Sequence, residues 1–445
     1  MTPATIPSRF GLACVLGSAL LLSACAEKQV ILPGERESVR PEADLSESRI
    51  RLDGNTARAI QLPAQRVNAE WTQGIGSPAF RVDHAALGGQ LQHLWEVPIG
   101  NPDSRRARIT ASPVVGGGLV YTLDSGAQVS AVTPEGAVAW STNLTPASER
   151  AIDSTGGGLA YANGTVYISS GFGLLSALDA RTGELRWRQK LEANGSGMPL
   201  VRDGVVYVVA GDHTGWAVDA GNGRVLWQIM GAPSVTTVLG SGAPATSSDL
   251  VVFGFGSGDL VAAFRQGGMR HWAEAVAGNR LGRAVSRISD VTGAPVIAGD
   301  RIFAGSHSGR LAAFDLHGGE ELWLARQGAL GPVWPAGDSV FAVTDLNQLA
   351  RFDASNGSPI WAADLPGFVN DKPRKRGETW AHYGPILAGG RIITASNDGL
   401  LRFFSPESGQ LVGQVEVPGG ATTEPVVANR TLYVVSSDGK LHAYR

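Results

Sequence analysis

From about Leu94 onward, apolar and polar residues alternate in short runs, and the runs recur as a unit. The fullest copy reads Gly164-Thr165-Val166-Tyr167-Ile168, then Gly173-Leu174-Leu175-Ser176-Ala177-Leu178-Asp179, then Thr182-Gly183-Glu184-Leu185-Arg186-Trp187. A period of two predicts β-strands, and the Gly and Asp-x-x-Thr-Gly stretches between them predict turns. Trp closes the unit at Trp95, Trp140, Trp187, Trp227, Trp272, Trp323 and Trp361, at spacings of 45, 47, 40, 45, 51 and 38. An eighth copy, Ser408-Gly409-Gln410-Leu411-Val412-Gly413, carries Gly413 where Trp is expected.

Three or four strands per unit at this period fit a β-propeller. The last unit, from Glu424-Pro425-Val426-Val427 to Leu441-His442-Ala443-Tyr444, stops before its Trp strand. The first piece, Leu94-Trp95-Glu96-Val97, is a Trp strand with no unit before it. Joined, the two make one blade and leave no open sheet edge at the ends of the chain. The expected fold is all-β: an eight-bladed propeller of four-stranded antiparallel blades, closed by pairing of the N- and C-terminal strands. A Trp at a fixed repeat position is read as structural, an apolar plate whose N–H bonds a carbonyl of the neighbouring blade. Trp71, Trp216, Trp334 and Trp380 fall off the repeat and are candidates for loop or surface contacts, although packing is the commoner fate.

Composition narrows the class. Gly is abundant, 59 of 445 residues, which suits many tight turns. A formal net charge of -3 gives no electrostatic case for a nucleic-acid partner. The two cysteines, Cys14 and Cys25, both lie at the N-terminus, so no disulfide staples the repeats. Residues 11–22 form an apolar run of signal-peptide length, too short to span a membrane, and it ends in Leu22-Ser23-Ala24-Cys25. That ending resembles a bacterial lipobox, which implies acylation of Cys25; the alternative is a secretory signal cut near Ala24. Ala26 after the cysteine, in place of the Asp that retains such lipoproteins, implies the outer membrane with the chain facing the periplasm. Residues 26 to about 70 are charged, Pro-containing and without apolar period, and read as a flexible tether. The expected domains are a lipoprotein signal peptide at 1–24, an acylated Cys and tether at 25–70, and the propeller at 71–445.

Motifs for chemistry are sparse. The eight histidines are scattered, and no pair has zinc-ligand spacing with a third ligand nearby. No Gly-x-Ser-x-Gly occurs, and no clustered oxygen ligands suit Ca²⁺. Asp124, Asp179, Asp219, Asp315 and Asp353 recur at what reads as one repeat position, which marks turn chemistry. No catalytic, cofactor or metal residue is therefore expected. The basic run Lys372-Pro373-Arg374-Lys375-Arg376 reads as a solvated loop, with an acidic partner or lipid headgroups as the alternative.

The unit resembles the pyrroloquinoline-quinone-like propeller repeat, with its Ala-x-Asp-x-x-Thr-Gly-x-x-x-Trp ending. That repeat occurs in quinoprotein dehydrogenases and in the BamB family, lipoprotein B of the outer-membrane β-barrel assembly machinery. The lipobox, the tether and the eight units look like the second. The segment Arg287-Ile288-Ser289-Asp290-Val291-Thr292-Gly293-Ala294-Pro295 is similar to a characteristic loop of that family, and Thr423-Glu424-Pro425-Val426 also matches. The resemblance implies a non-enzymatic scaffold with no cofactor, which docks on the periplasmic domains of a BamA-like barrel-inserting protein and helps deliver unfolded outer-membrane proteins. It implies partner contacts at Val238, Leu239 and Gly240 in one loop and at Arg287, Asp290 and Thr292 in the next. Leu239 stands where the family has Arg, and Thr292 where it has a second carboxylate. The alternatives are a periplasmic quinone-dependent dehydrogenase and a propeller that binds cell wall or polysaccharide.

Overall fold

A computed structural model describes residues 49–52, 57–194, 197–234, 242–278, 280, 288–370 and 372–445. Cys25, Val238, Leu239, Gly240 and Arg287 lie outside them. The described chain forms eight sheets of four antiparallel strands. Blades 1 to 7 occupy residues 114–143, 157–190, 200–230, 245–275, 293–325, 334–364 and 382–416. Blade 8 takes three strands from residues 426–444 and its outermost strand from His93–Pro98. That strand pairs Glu96 with His442, Val97 with Leu441 and Pro98 with Lys440, so the ring closes as the split unit implies.

Each outermost strand delivers its Trp to the next blade. The indole N–H donates to the carbonyl of Pro134 from Trp95 (2.9 Å), of Ala180 from Trp140 (3.0 Å), and of Ala220 from Trp187 (2.9 Å). Trp227, Trp272, Trp323 and Trp361 do the same to Arg265, Leu316, Ala354 and Pro406 at 2.9–3.1 Å. Every acceptor lies in the turn between the third and fourth strands of the following blade. Glycine in that turn serves two ends: Gly183 and Gly409 have φ of 74° and 70°, and a Cβ there would stand 2.5 Å from the ring of Trp140 or Trp361. Gly413 departs from the rule for a reason of topology. Its Trp would have to dock on a third-to-fourth-strand turn of blade 8, and no such turn joins these strands, because the third is Lys440–Tyr444 and the fourth is His93–Pro98.

Asp179, Asp219, Asp315 and Asp353 cap the same turns by accepting backbone N–H groups two and three residues on, or two residues on at Asp353. The bonds to Arg186 and to backbone hold the Asp179 carboxyl down at about 2. Asp124 does not belong to this set. It sits in the hairpin between the second and third strands of blade 1, where it accepts from the N–H groups of Gly126, Gln128 and Asn101.

Residues 57–89 change the picture most. Arg58 reaches Asp353 and Asp338 at 2.7 and 2.6 Å, and the fully buried Arg351 donates to the Arg58 carbonyl at 2.6 Å. The chain expected to be a tether up to residue 70 therefore already lies on the propeller here. Its polar character matches the polar turns it covers. It then runs along the inner edges of the blades, where innermost strands present unpaired backbone groups. Asn68 bonds Val427 of blade 8, Trp71 pairs with Val115 of blade 1, and Thr72 accepts from Tyr161 of blade 2. Gln73 exchanges two bonds with Val201 of blade 3, Ser77 meets Thr246 of blade 4, and Gly76 accepts from Ile297 of blade 5. Asp83 accepts from the Trp334 indole of blade 6, and Ala85 accepts from Gly389 of blade 7. All eight blades touch this one segment. Of the off-repeat tryptophans, Trp71 and Trp334 are buried with ring centroids 6.1 Å apart, and Trp216 is buried too, so packing claims them. Trp380 is half-buried. Among the described residues no helix is long and apolar enough to cross a membrane.

Candidate partner-binding face and central cavity

Strand direction alternates within a blade, which sorts the connections onto two faces. The crossings from an outermost strand to the next innermost strand share one face with the hairpins between second and third strands. The short turns that receive the Trp residues share the other. At the centre of the crossing face lies a cavity of about 720 Å³. Gly74, Ile75 and Gly76 of the cross-blade segment line it, and its walls come from seven crossings, at residues 103–112, 198, 242–243, 290–292, 330–332, 381 and 421–424.

The cavity wall is apolar with an acidic bias. Ile109, Met198, Phe255, Val291 and Leu330 supply apolar surface, and among the described residues Asp103, Asp290, Glu424 and Arg108 are the charged groups of the lining. Asp103 accepts from the Ile109 N–H (2.6 Å) and the Thr422 hydroxyl (3.0 Å), which ties the first crossing to the last. Glu424 keeps part of its surface open to the cavity but is surrounded by protein, and this burial raises its carboxyl to about 7.

That shift has a testable sign. The folded chain holds the Glu424 proton over a range, from about pH 4.5 to 7, in which the unfolded chain has lost it. Stability contributed by the neutral form is therefore present at low pH and lost as pH rises through 7. Glu424→Gln is expected to flatten the fall in stability between pH 5 and 7.5, an effect of at most about 3 kcal/mol because the carboxyl is partly open to the cavity. Urea unfolding of both proteins across that range checks it; parallel curves would refute it.

The two crossings expected to carry partner contacts flank blade 4. Residues 231–244 lead into it and residues 276–292 lead out of it. The described ends of both line the cavity, and a Cβ on Gly242 would stand 2.1 Å from that of Ala294, at the start of blade 5. Asp290 is buried and lines the cavity. Thr292 is half-buried and donates its hydroxyl to the Ala329 carbonyl at 2.8 Å. Sequence reasoning missed the anchor of the second crossing. Arg280, itself buried, makes a paired contact with Asp345 of blade 6 at 2.6 and 3.0 Å. No local pattern could signal it, since the acceptor lies 65 residues on, in another blade.

The histidines are not all scattered in space. Among the described residues one group has metal-ligand chemistry, and ring closure assembles it from His93, Glu96 and His442, none of which lines the cavity. The basic run forms an exposed excursion on the crossing face between blades 6 and 7, with a short 3-10 turn at Pro373–Lys375 and Arg376 over the Phe368 ring at 5.0 Å.

Comparison with known proteins fits this architecture. Residues 125–363, just over half of the chain, match the family described as outer membrane protein assembly factor BamB. The chain is 26% identical to the outer membrane protein assembly factor BamB of Salmonella typhimurium over 356 residues, which covers 79% of this chain and 88% of that protein. The crystal structure of BamB from Moraxella catarrhalis is similar with a TM-score of 0.66 at 22% identity, over 80% of this chain and all of that one. A europium-containing methanol dehydrogenase is similar with a TM-score of 0.61 at 13% identity, over 84% of this chain and 98% of that one, which describes the fold alone.

Proposed function

The chain belongs to the outer membrane protein assembly factor BamB family, and from that premise we propose that it is a non-enzymatic scaffold lipoprotein of the outer-membrane β-barrel assembly machinery. One observation carries the reading: both crossings that flank blade 4 fall inside the matched residues, and the described ends of both line the cavity. A partner seated there would meet residues 236–240 and the rim of 287–292, with Asp290 supporting the loop from behind. A BamA-like barrel-inserting protein, through its periplasmic domains, is the proposed partner.

The outermost strands supply a second surface. Their free edges carry exposed Leu94, Val138, Leu185, Leu226 and Leu411. Such edges accept extended chains by strand addition, which suits unfolded outer-membrane proteins as clients. The proposed anchor is the acylated Cys25, with the propeller on the periplasmic side of the outer membrane. Arg49 bonds Asp364 at 2.8 Å, at the crossing-face end of blade 6, and the basic excursion follows directly after that strand. The described chain nearest the anchor thus lies beside a basic loop, an arrangement that favours anionic headgroups. Affinity purification of the native chain from solubilised outer membranes tests the scaffold reading. The barrel-inserting protein is expected to come with it; a chain that comes down alone would remove the proposal.

A further inference from the structure

The strand His93–Pro98 meets the last strand of the chain, Lys440–Tyr444, at the closure of the ring. On a regular strand, residues three apart point to opposite faces. Here the register shifts between His93 and Trp95, which adds one residue and returns His93 and Glu96 to the same face. Glu96 lies opposite His442, and His93 lies opposite Tyr444, two residues further on. Nε2 of His93 is 3.3 Å from Nδ1 of His442, and Oε2 of Glu96 is 3.5 Å from that same Nδ1. Tetrahedral ligands held about 2.0–2.1 Å from a zinc ion stand roughly 3.3 Å apart.

The surroundings hold the donors in place. The His442 side chain is fully buried, and its Nε2 lies 2.8 Å from the Ser436 hydroxyl, which donates on to the Asp438 carboxylate. Nε2–H of His442 is therefore the donor to Ser436, and its Nδ1 lone pair points toward His93 and Glu96. A second contact of this kind fixes the tautomer of a metal-bound histidine. The His93 ring packs against Tyr444 at 5.1 Å and against His442 at 5.5 Å. One cation competes: Nζ of Lys440 bonds Oε1 of Glu96 at 2.7 Å, leaving Oε2 turned to the histidines.

We propose that His93, Glu96 and His442 form a site for a divalent transition metal, with Zn²⁺ the best match to two imidazoles and a carboxylate, which clips the first strand of the ring to the last. The fourth position is left for water. An ion bound only by the closed ring stabilises closure by mass action. This inference is independent of the partner reading and does not need the assembly machinery.

The test uses the purified full chain without an affinity tag, Zn²⁺ titrated against a chromophoric chelator, and thermal unfolding at each Zn²⁺ concentration. The expected result is one ion per chain and an unfolding temperature that rises with Zn²⁺. His93→Ala should weaken binding by about tenfold or more and abolish the rise, while Lys440→Met should tighten it severalfold. His442→Ala would disturb a buried strand pair, so the more exposed His93 carries the test. Co²⁺ in the wild-type site should show the visible absorption of a tetrahedral ion. Equal Zn²⁺ binding by wild type and His93→Ala, or no change in unfolding temperature at saturating Zn²⁺, would overturn the proposal.

Discussion

Replacing Arg280 with Ala is expected to lower the stability of the propeller by about 3–5 kcal/mol, the cost of leaving a buried charge without its partner. The Arg280 and Asp345 side chains are only 6% and 1% exposed, so solvent cannot take over when one is removed. The guanidinium also donates to the Arg326 carbonyl at 2.9 Å, and Asp345 accepts from the Gly328 N–H at 2.7 Å. Asp345 would then keep its charge in a site built for an ion pair. The pair ties the crossing at 276–292, between blades 4 and 5, to blade 6, so the same change should loosen the proposed docking loop. Urea unfolding followed by tryptophan fluorescence measures the loss. The double variant Arg280→Met with Asp345→Leu should recover much of it, since apolar groups of similar size relieve both desolvation penalties. A loss below about 1 kcal/mol in the single variant would mean that the pair is open to water after all.

Trp361→Ala should cost a similar amount, about 3–5 kcal/mol, from the lost apolar area and the cavity left behind. Trp361 is fully buried, donates to the Pro406 carbonyl, and packs against Phe341 at 5.9 Å. Trp95 occupies the same repeat position but is only half-buried, so Trp95→Ala should cost clearly less. Thermal unfolding of the two variants side by side gives the comparison. Equal losses would show that the seams do not differ as their burial implies.

The repeat was legible because its signals are local. Alternation, Asp-x-x-Thr-Gly turns and the closing Trp each lie within one blade, and the split unit at the two ends announced the closure. Gly413 read as an exception until the ring showed that its docking turn is missing. What escaped the sequence depends on residues far apart. The segment 57–89 mixes apolar and polar residues without a period because it meets eight separate blades in turn, so no period could mark it as ordered. Asp290 stands in the motif read as a partner contact, and its burial in the cavity wall could not be read from that motif. His93 and His442 lie 349 residues apart, and only a bulge beside Trp95 aligns Glu96 with them.

The crossing face of the closed eight-bladed ring is the proposed docking surface for the barrel-inserting protein. Co-purification from solubilised outer membranes with one change on each face tests it most directly. Exchange of residues 236–240 for a Gly-Ser run should remove the partner while leaving the unfolding temperature intact. Arg181→Glu, on an exposed turn of the opposite face, should leave the partner bound. Retention of the partner by the loop exchange, together with its loss in Arg181→Glu, would contradict the account.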